Sequence, residues 1–361
     1  MEYQLKTRQV CFFFIAFLPV IKLFSLPSVL ASSCEEDMWI SALISLILDL
    51  LTLTVVLLAC KKADTDFYTL LERNLGKVLS KIVLSLYIAV FLIKALVPIN
   101  QQKNFIDLTL YETLPSIFNF LPFFAVSFYL CIKGLRVLGR CADLIWVCTA
   151  VGIVLIFTLS ITNCDFSAVL PIGAQGTNKI LTGTYRASTW FGDCVYLLFF
   201  LGRFKYSKKD GVKIALSYAL SGISVVLFMV LFYGVFTSIA HRQTFALTEI
   251  TQYAIVVNNI GRFDYLGIMF MLLSNFFALS LPLYFATEIL QRICSFKRSW
   301  ISSLIINGAV LTFITFFGEF FASVETFTNT IGNGLFIVFF NILPCFIAVF
   351  KKERINEVQA R

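Results

Sequence analysis

Ten apolar stretches run through the chain, separated by short gaps whose charge alternates from one gap to the next. Most of the 29 Lys and Arg residues fall at the N-terminus and in every second gap after it. These basic groups are Lys6 and Arg8, Lys61 to Lys81, Lys133 to Arg140, Arg203 to Lys213, Arg292 to Arg298, and Lys351 to Arg361. The intervening gaps hold only Lys103, Lys179, Arg186, Arg242 and Arg262, and the first of them opens with Glu35, Glu36 and Asp37. Loops rich in Lys and Arg stay on the cytoplasmic side of a bilayer. The pattern therefore predicts a chain stitched through a membrane with both termini in the cytoplasm.

Composition agrees. Hydrophobic residues make up 59% of the chain and charged residues 14%, and the mean hydropathy is +0.86. A water-soluble domain of 361 residues would not carry that much apolar surface. One crossing needs about 20 apolar helical residues. The candidates are Val10 to Leu30, Met38 to Cys60, Val78 to Ile99, Ile117 to Ile132, Ala142 to Ile161, a shortened one ending at Leu201, Val212 to Ala240, Tyr265 to Leu290, Trp300 to Phe317, and Ile331 to Phe350. The expected fold is thus an all-α, polytopic membrane protein in one transmembrane domain. The first segment begins with charge but is too long for a signal-peptide core and lacks a small-residue cleavage site, so it reads as retained.

Several function classes fall away. The basic residues are spread over six short patches and form no single stripe, which argues against a nucleic-acid partner. Most of the ten cysteines lie in apolar segments, where Cys behaves as a small hydrophobe. Cys34 and Cys164 alone fall in outward gaps, which leaves an external disulfide open. His241 is the single histidine and cannot hold a metal by itself. There is no nucleophile elbow, phosphate loop or zinc signature, so neither an enzyme nor a bound cofactor is expected.

Two segments break the pattern. The continuous apolar run 190–201 spans only about 18 Å at about 1.5 Å per residue, too little to cross alone. Upstream, Lys179 to Thr189 is polar and contains glycine, and it completes the crossing as a second half-helix joined through irregular backbone. The first segment reads Leu18-Pro-Val-Ile-Lys-Leu-Phe-Ser-Leu-Pro27, with a proline on each side of a lysine, and interior prolines remove backbone donors. The interrupted segments are numbers one and six, corresponding positions in two halves of five. That match points to an inverted-repeat transporter with its site at the unwound midpoints, with a first repeat over about 8–163, a second over about 177–351 and a tail at 352–361. The candidate binding residues are accordingly Val20, Ile21, Lys22, Leu23, Phe24 and Ser25 in the first break and Phe191, Gly192 and Asp193 in the sixth.

Depth narrows the choice. Lys22 lies about 18 Å from the inner edge, Asp49 about 16 Å from the outer edge and Asp193 about 15 Å from the inner boundary. All three sit near mid-depth, where a charge is costly and marks function. Lys22 can pair with Asp49 across the short first loop, or with Asp193, and Asp49 and Asp193 are the candidates for proton coupling. Lys94 is close enough to the outer edge to snorkel. Glu288 precedes Arg292 by one helical turn, an ordinary helical pair. The loop Thr244 to Asn259 alternates apolar and polar residues and is placed to form an amphipathic lid.

Several fragments carry a family resemblance. Leu26-Pro-Ser-Val-Leu30 with Glu36-Asp-Met-Trp-Ile40, Phe67-Tyr-Thr-Leu-Leu-Glu-Arg-Asn-Leu-Gly-Lys77, Glu112-Thr-Leu-Pro115 with Gly134-Leu-Arg136 and Arg140, Asp165-Phe-Ser-Ala-Val-Leu-Pro171, Phe191-Gly-Asp193 and Arg262-Phe-Asp264 occur in this order. Together they resemble the endospore germination permeases, the B subunits of nutrient germinant receptors, a branch of the amino acid-polyamine-organocation superfamily. The resemblance implies a ten-helix inverted-repeat fold, a pocket between helices one and six walled by helices three and eight, and a small germinant such as an amino acid. It also implies an A subunit and a lipoprotein C subunit as partners in the spore inner membrane. Gly192-Asp193 matches the family's glycine-acid pair. The first helix departs from the family pattern, with bulky Val20-Ile21-Lys22 where a glycine-small-glycine break is usual. Two roles for Lys22 stay open: a direct carboxylate partner, or a fixed cation held by Asp49 or Asp193. The alternatives to a ligand-sensing subunit are a secondary transporter of amino acids or organic cations, and an assembly subunit with a plugged site.

Overall fold

The computed structural model describes residues 5–62, 66–109, 116–204, 208–252 and 264–346. They are almost entirely helical, with one isolated backbone bridge between Leu5 and Phe204. The principal helices are α1 (Thr7–Cys34), α2 (Met38–Lys62), α3 (Phe67–Thr109), α4 (Ser116–Lys133), α5 (Leu135–Ile161), α6 (Gly176–Ala187), α7 (Val195–Phe199), α8 (Lys208–Phe236), α9 (Ala246–Gln252), α10 (Asp264–Ile293) and α11 (Ser299–Phe316), followed by α12 (Phe321–Phe346). Seven stretches of the described residues are long and apolar enough to cross a bilayer, and the first of these, Thr7–Leu58, contains α1 and all but the last turn of α2. Residues 347–361, Glu112 to Pro115 and positions 253–259 of the expected lid lie outside the described residues.

The architecture follows from which helices are apolar on all sides. α1 buries residues around its whole circumference, as a helix does when neighbours surround it; it packs against α5, α6, α8 and α10. α10 in turn packs against α3, α4, α5 and α11, so α1 and α10 form the centre. The outer helices keep large apolar side chains exposed, including Leu51, Val78, Leu144, Val212 and Phe316, the lipid-facing surface that a membrane-spanning bundle requires. α3 bends at Gly76, whose φ of 80° separates an initial amphipathic turn from the spanning part.

The sixth segment is split. α6 ends at Ala187, α7 begins at Val195, and the joint between them passes through Gly192 with φ 83°. A Cβ at Gly192 would sit 2.6 Å from Phe340 Cβ, so both the backbone conformation and the close approach of α12 require glycine there. α12 is itself irregular, with π-helical turns at Thr328–Gly332 and Ile337–Ile342. Two carbonyls of the second π-helical turn are engaged from outside: Phe339 O accepts the Tyr87 hydroxyl at 2.9 Å, and Phe340 O accepts the Cys194 thiol at 3.8 Å.

The first segment differs from the expectation. α1 runs from Thr7 to Cys34 without interruption, and Pro19 and Pro27 lie inside it. Neighbouring groups serve the carbonyls beside Pro19: Ala16 O accepts the Thr149 hydroxyl at 3.0 Å, and Leu18 O accepts the Lys22 ammonium at 3.3 Å. The carbonyl that Pro19 itself deprives of a helical donor is Ile15 O, four residues back, and helices inside a membrane tolerate proline because packed neighbours and local adjustments re-satisfy freed groups. Helix six is therefore the broken one, and helix one stays wound past its prolines.

Candidate functional site

The break in the sixth segment projects Phe191, Gly192 and Asp193 into the centre, where four charged side chains converge. Asp193 is 4% exposed, Lys22 4%, Lys94 8% and Asp49 1%. Asp193 Oδ2 pairs with Lys22 Nζ from α1, and its other oxygen, Oδ1, accepts Lys94 Nζ from α3 at 2.8 Å. Lys94 also donates to Phe191 O at 2.9 Å and lies 4.7 Å from the Phe340 ring centroid. The Lys22 ammonium lies 5.1 Å from the Phe191 ring centroid. One carboxylate on the broken segment thus ties it to two other helices. A buried ion pair is tolerable only when the remaining donors are also satisfied, and here both ammonium groups have carbonyl and aromatic partners as well.

Asp49 has a different task. Both of its oxygens accept the Gly192 N–H at 2.9 Å, and Oδ2 takes the Tyr218 hydroxyl from α8. The carboxylate of α2 therefore caps a backbone donor that the break leaves without a helical partner, a role a membrane interior makes necessary. Two lysines and two aspartates leave this node formally neutral. Of the two partners expected for Lys22, the structure has Asp193 and not Asp49.

Two sequence expectations are corrected here, and one open question is answered. Lys94 does not snorkel; it turns inward, because the shared carboxylate and the Phe191 carbonyl replace the water it would otherwise reach for. Glu288 pairs with Arg203 across to the end of the sixth segment through two guanidinium nitrogens, a bidentate arrangement, and not with Arg292, whose guanidinium is taken by Asp66. Arg292 reaches Asp66 at 2.7 Å. Cys34 and Cys164 are both free thiols: Cys34 is buried between Leu30 O and the Ser41 hydroxyl.

Among the expected site residues, Lys22, Phe191, Gly192, Asp193 and Asp49 are brought together. Val20, Leu23 and Ser25 are buried in the helix packing, and Ile21 is half-buried. Phe24 joins a separate aromatic group, with ring centroids 5.3 Å from Phe105 and 5.8 Å from Phe245. Phe245 leads into α9, which packs on α1, α5 and α10, so this part of the segment expected as a lid rests against the central helices. On the far side of the break a cavity of about 480 Å³ opens between α2, α6 and α12, with Asp49 and Phe191 in its wall beside Thr52, Ser188, Asn341 and Cys345.

Sequence reasoning missed a second polar contact. Gln102 of α3 and Asn275 of α10 are 0% and 2% exposed, and the Asn275 amide donates to Gln102 Oε1. Gln102 Nε2 and Asn275 Oδ1 have no partner among the described residues. An unmet buried polar group costs about 1–3 kcal/mol. Carboxamides inside apolar segments were the available signal, and charge drew attention away from them.

Comparison with known proteins gives this geometry a family. The spore germination protein family model matches residues 4–331. Spore germination protein KB of Bacillus subtilis (strain 168) is 25% identical over 301 residues, covering 79% of each chain. Among solved structures, Mhp1, a nucleobase-cation-symport-1 family transporter held closed with bromovinylhydantoin bound, superposes with a TM-score of 0.63 at 13% identity, over 96% of this chain and 78% of that one. A manganese transporter from Eremococcus coleocola gives 0.55 at 11% identity, over 94% and 78%. The shared fold is that of inverted-repeat membrane transporters, and family and fold point to a permease and not to an enzyme. An integral membrane protein with a broken sixth helix, matched along nearly its whole length, the chain belongs to the spore germination protein family.

Proposed function

We propose that the chain is a ligand-sensing permease subunit that binds a small zwitterion, an amino acid in the simplest case, at the Lys22–Asp193–Lys94 node and passes that state to partner receptor subunits. The observation that carries this reading is the single carboxylate on the broken segment shared by lysines from α1 and α3. A ligand carboxylate competes with Asp193 for the two ammonium groups, and a ligand ammonium group takes Asp193 in exchange. The exchange keeps every charge paired while it unties the break from its neighbours. A ligand shifts such a two-state element only by its difference in affinity for the two states, and the apo node, with its donors already engaged, sets how large that difference must be. The reading also includes cytoplasmic termini, repeats over about 8–163 and 177–351, and the A and lipoprotein C subunits as partners.

The test is a thermal-shift panel of amino acids, nucleosides and sugars on the purified protein, with Lys22→Ala and Asp193→Asn run alongside. A ligand that stabilises the wild type and loses its effect in both variants supports the node as the site. If no ligand stabilises the protein and both variants assemble and germinate normally, the node is a plug and the chain an assembly subunit. A second reading, an active secondary transporter, draws on the fold shared with two transporters. Ligand-dependent flux of labelled amino acid into proteoliposomes separates it from a sensor that binds without transport.

A further inference from the structure

Two of the buried polar contacts among the described residues, the charge node and the Gln102–Asn275 contact, differ in one respect. The charge node is closed, with each ammonium group engaged by Asp193 and by a backbone carbonyl. The Gln102–Asn275 contact is open. A carboxamide pair joined by one hydrogen bond leaves an N–H donor on one side chain and a carbonyl acceptor on the other, whichever way the two amide ends are turned. The unpartnered atoms are Gln102 Nε2 and Asn275 Oδ1. Both side chains are more than nine-tenths buried, away from bulk water, and native proteins keep few such groups.

The surroundings favour a ligand over an accident of packing. Gln102 lies three residues before Phe105 on α3, on the same helix face, and Phe105 packs edge-on against Phe245 at 5.3 Å and against Phe24 at 5.3 Å. Thr248 follows Phe245 by one turn, is 3% exposed, and its hydroxyl also has no partner among the described residues. Three unmet polar groups on α3, α9 and α10 therefore flank an aromatic closure made by α1, α3 and the entry to α9.

We propose that Gln102 and Asn275 form a recognition site for a ligand edge that carries a hydrogen-bond donor beside an acceptor, as in an amide, a lactam or a pyrimidine ring, admitted when the Phe24–Phe105–Phe245 closure opens. The edge completes both carboxamides at once, and the aromatic rings supply flat apolar walls for a planar group. A site built to hydrogen-bond a ligand rejects the analogue lacking the group far more strongly than an apolar pocket rejects an extra methyl. This inference rests on the ligand-binding reading above but not on the charge node as the place of binding.

The experiment measures binding to the full-length protein in nanodiscs by thermal shift and equilibrium dialysis. The probes are uracil and nicotinamide, which carry the edge, against 1,3-dimethyluracil and N,N-diethylnicotinamide, which keep the acceptors and have lost every N–H. The expected result is binding of the first pair at least about tenfold tighter than the second, lost in the Gln102→Leu/Asn275→Leu variant. Because that variant removes both leftover groups together, its ligand-free melting temperature is expected to equal or exceed that of the wild type. Gln102→Met, nearly the same volume, is the second variant and reads the same loss of binding if the double variant does not fold. Failure of uracil and nicotinamide to bind, equal binding of the alkylated probes, or undiminished binding by the variants overturns the proposal. Lys22→Ala and Asp193→Asn, run in parallel, separate the two readings: probe binding that survives them while amino acids never bind leaves this site standing and removes the charge node. Amino-acid binding that survives Gln102→Met while the probes never bind does the reverse.

Discussion

Replacing Asp193 by asparagine tests the logic of the node most directly. The substitution keeps the shape of the side chain and removes the anion that two buried lysines share, Lys22 through Oδ2 and Lys94 through Oδ1. Asp49 does not compensate, because its oxygens are committed to the Gly192 N–H and the Tyr218 hydroxyl. Removing one partner of a buried pair costs about 3–5 kcal/mol, since an uncompensated charge is left behind, and here two such charges face each other. Asp193→Asn is therefore expected at or above the top of that range. Lys22→Met removes one cation and leaves Asp193 on Lys94, so its cost is expected to be less than half as large. In the Lys22→Met/Asp193→Asn protein only Lys94 is stranded, and the double variant should be more stable than the sum of the single effects allows, with a coupling of about 1–3 kcal/mol. The assay is a double-mutant cycle on unfolding free energies in detergent. Strict additivity, or an Asp193→Asn cost no greater than that of Lys22→Met, would refute the claim that one carboxylate balances both lysines.

Two further outcomes are expected. Gly192→Ala places a Cβ 2.6 Å from Phe340 Cβ at φ 83°, and should cost about 2–4 kcal/mol from the left-handed backbone and the overpacking together, read as a lower melting temperature; a neutral variant would mean the break adopts another conformation. Outside the membrane, burial pushes the Asp66 carboxyl up, but the Thr69 hydroxyl and the Arg292 guanidinium outweigh it and hold the group below the usual carboxylate range. A lowered folded-state value makes this contribution present above about pH 4 and lost as the pH falls through the folded value, so the stability of Asp66→Asn should decline less between about pH 5 and pH 3 than that of the wild type.

Much of the fold was legible from single residues. Hydrophobic run lengths marked out the long apolar helices, seven of which among the described residues are long enough to span, and the polar Lys179 to Thr189 stretch marked the split sixth segment, because a bilayer forbids unmet backbone groups wherever they occur in the chain. The four-charge node was only partly legible. Lys22, Asp49 and Asp193 could be picked out by depth, since depth depends on position along one helix. Lys94 was visible too, but reading it as a snorkelling residue required knowing which way its helix face points, and that is fixed by packing.

The rest belonged to the tertiary structure. Pro19 and Pro27 announce a broken helix in sequence, yet α1 stays wound within the packed bundle, where the Thr149 and Lys22 side chains donate to Ala16 O and Leu18 O. Asp49 takes Gly192 and leaves Lys22 to Asp193, a choice set by a bond between residues 143 positions apart. Gln102 and Asn275, 173 positions apart, meet only when α3 packs on α10. Local composition decides what a segment must bury; which buried groups find one another, and which are left waiting, is decided only when the helices come together.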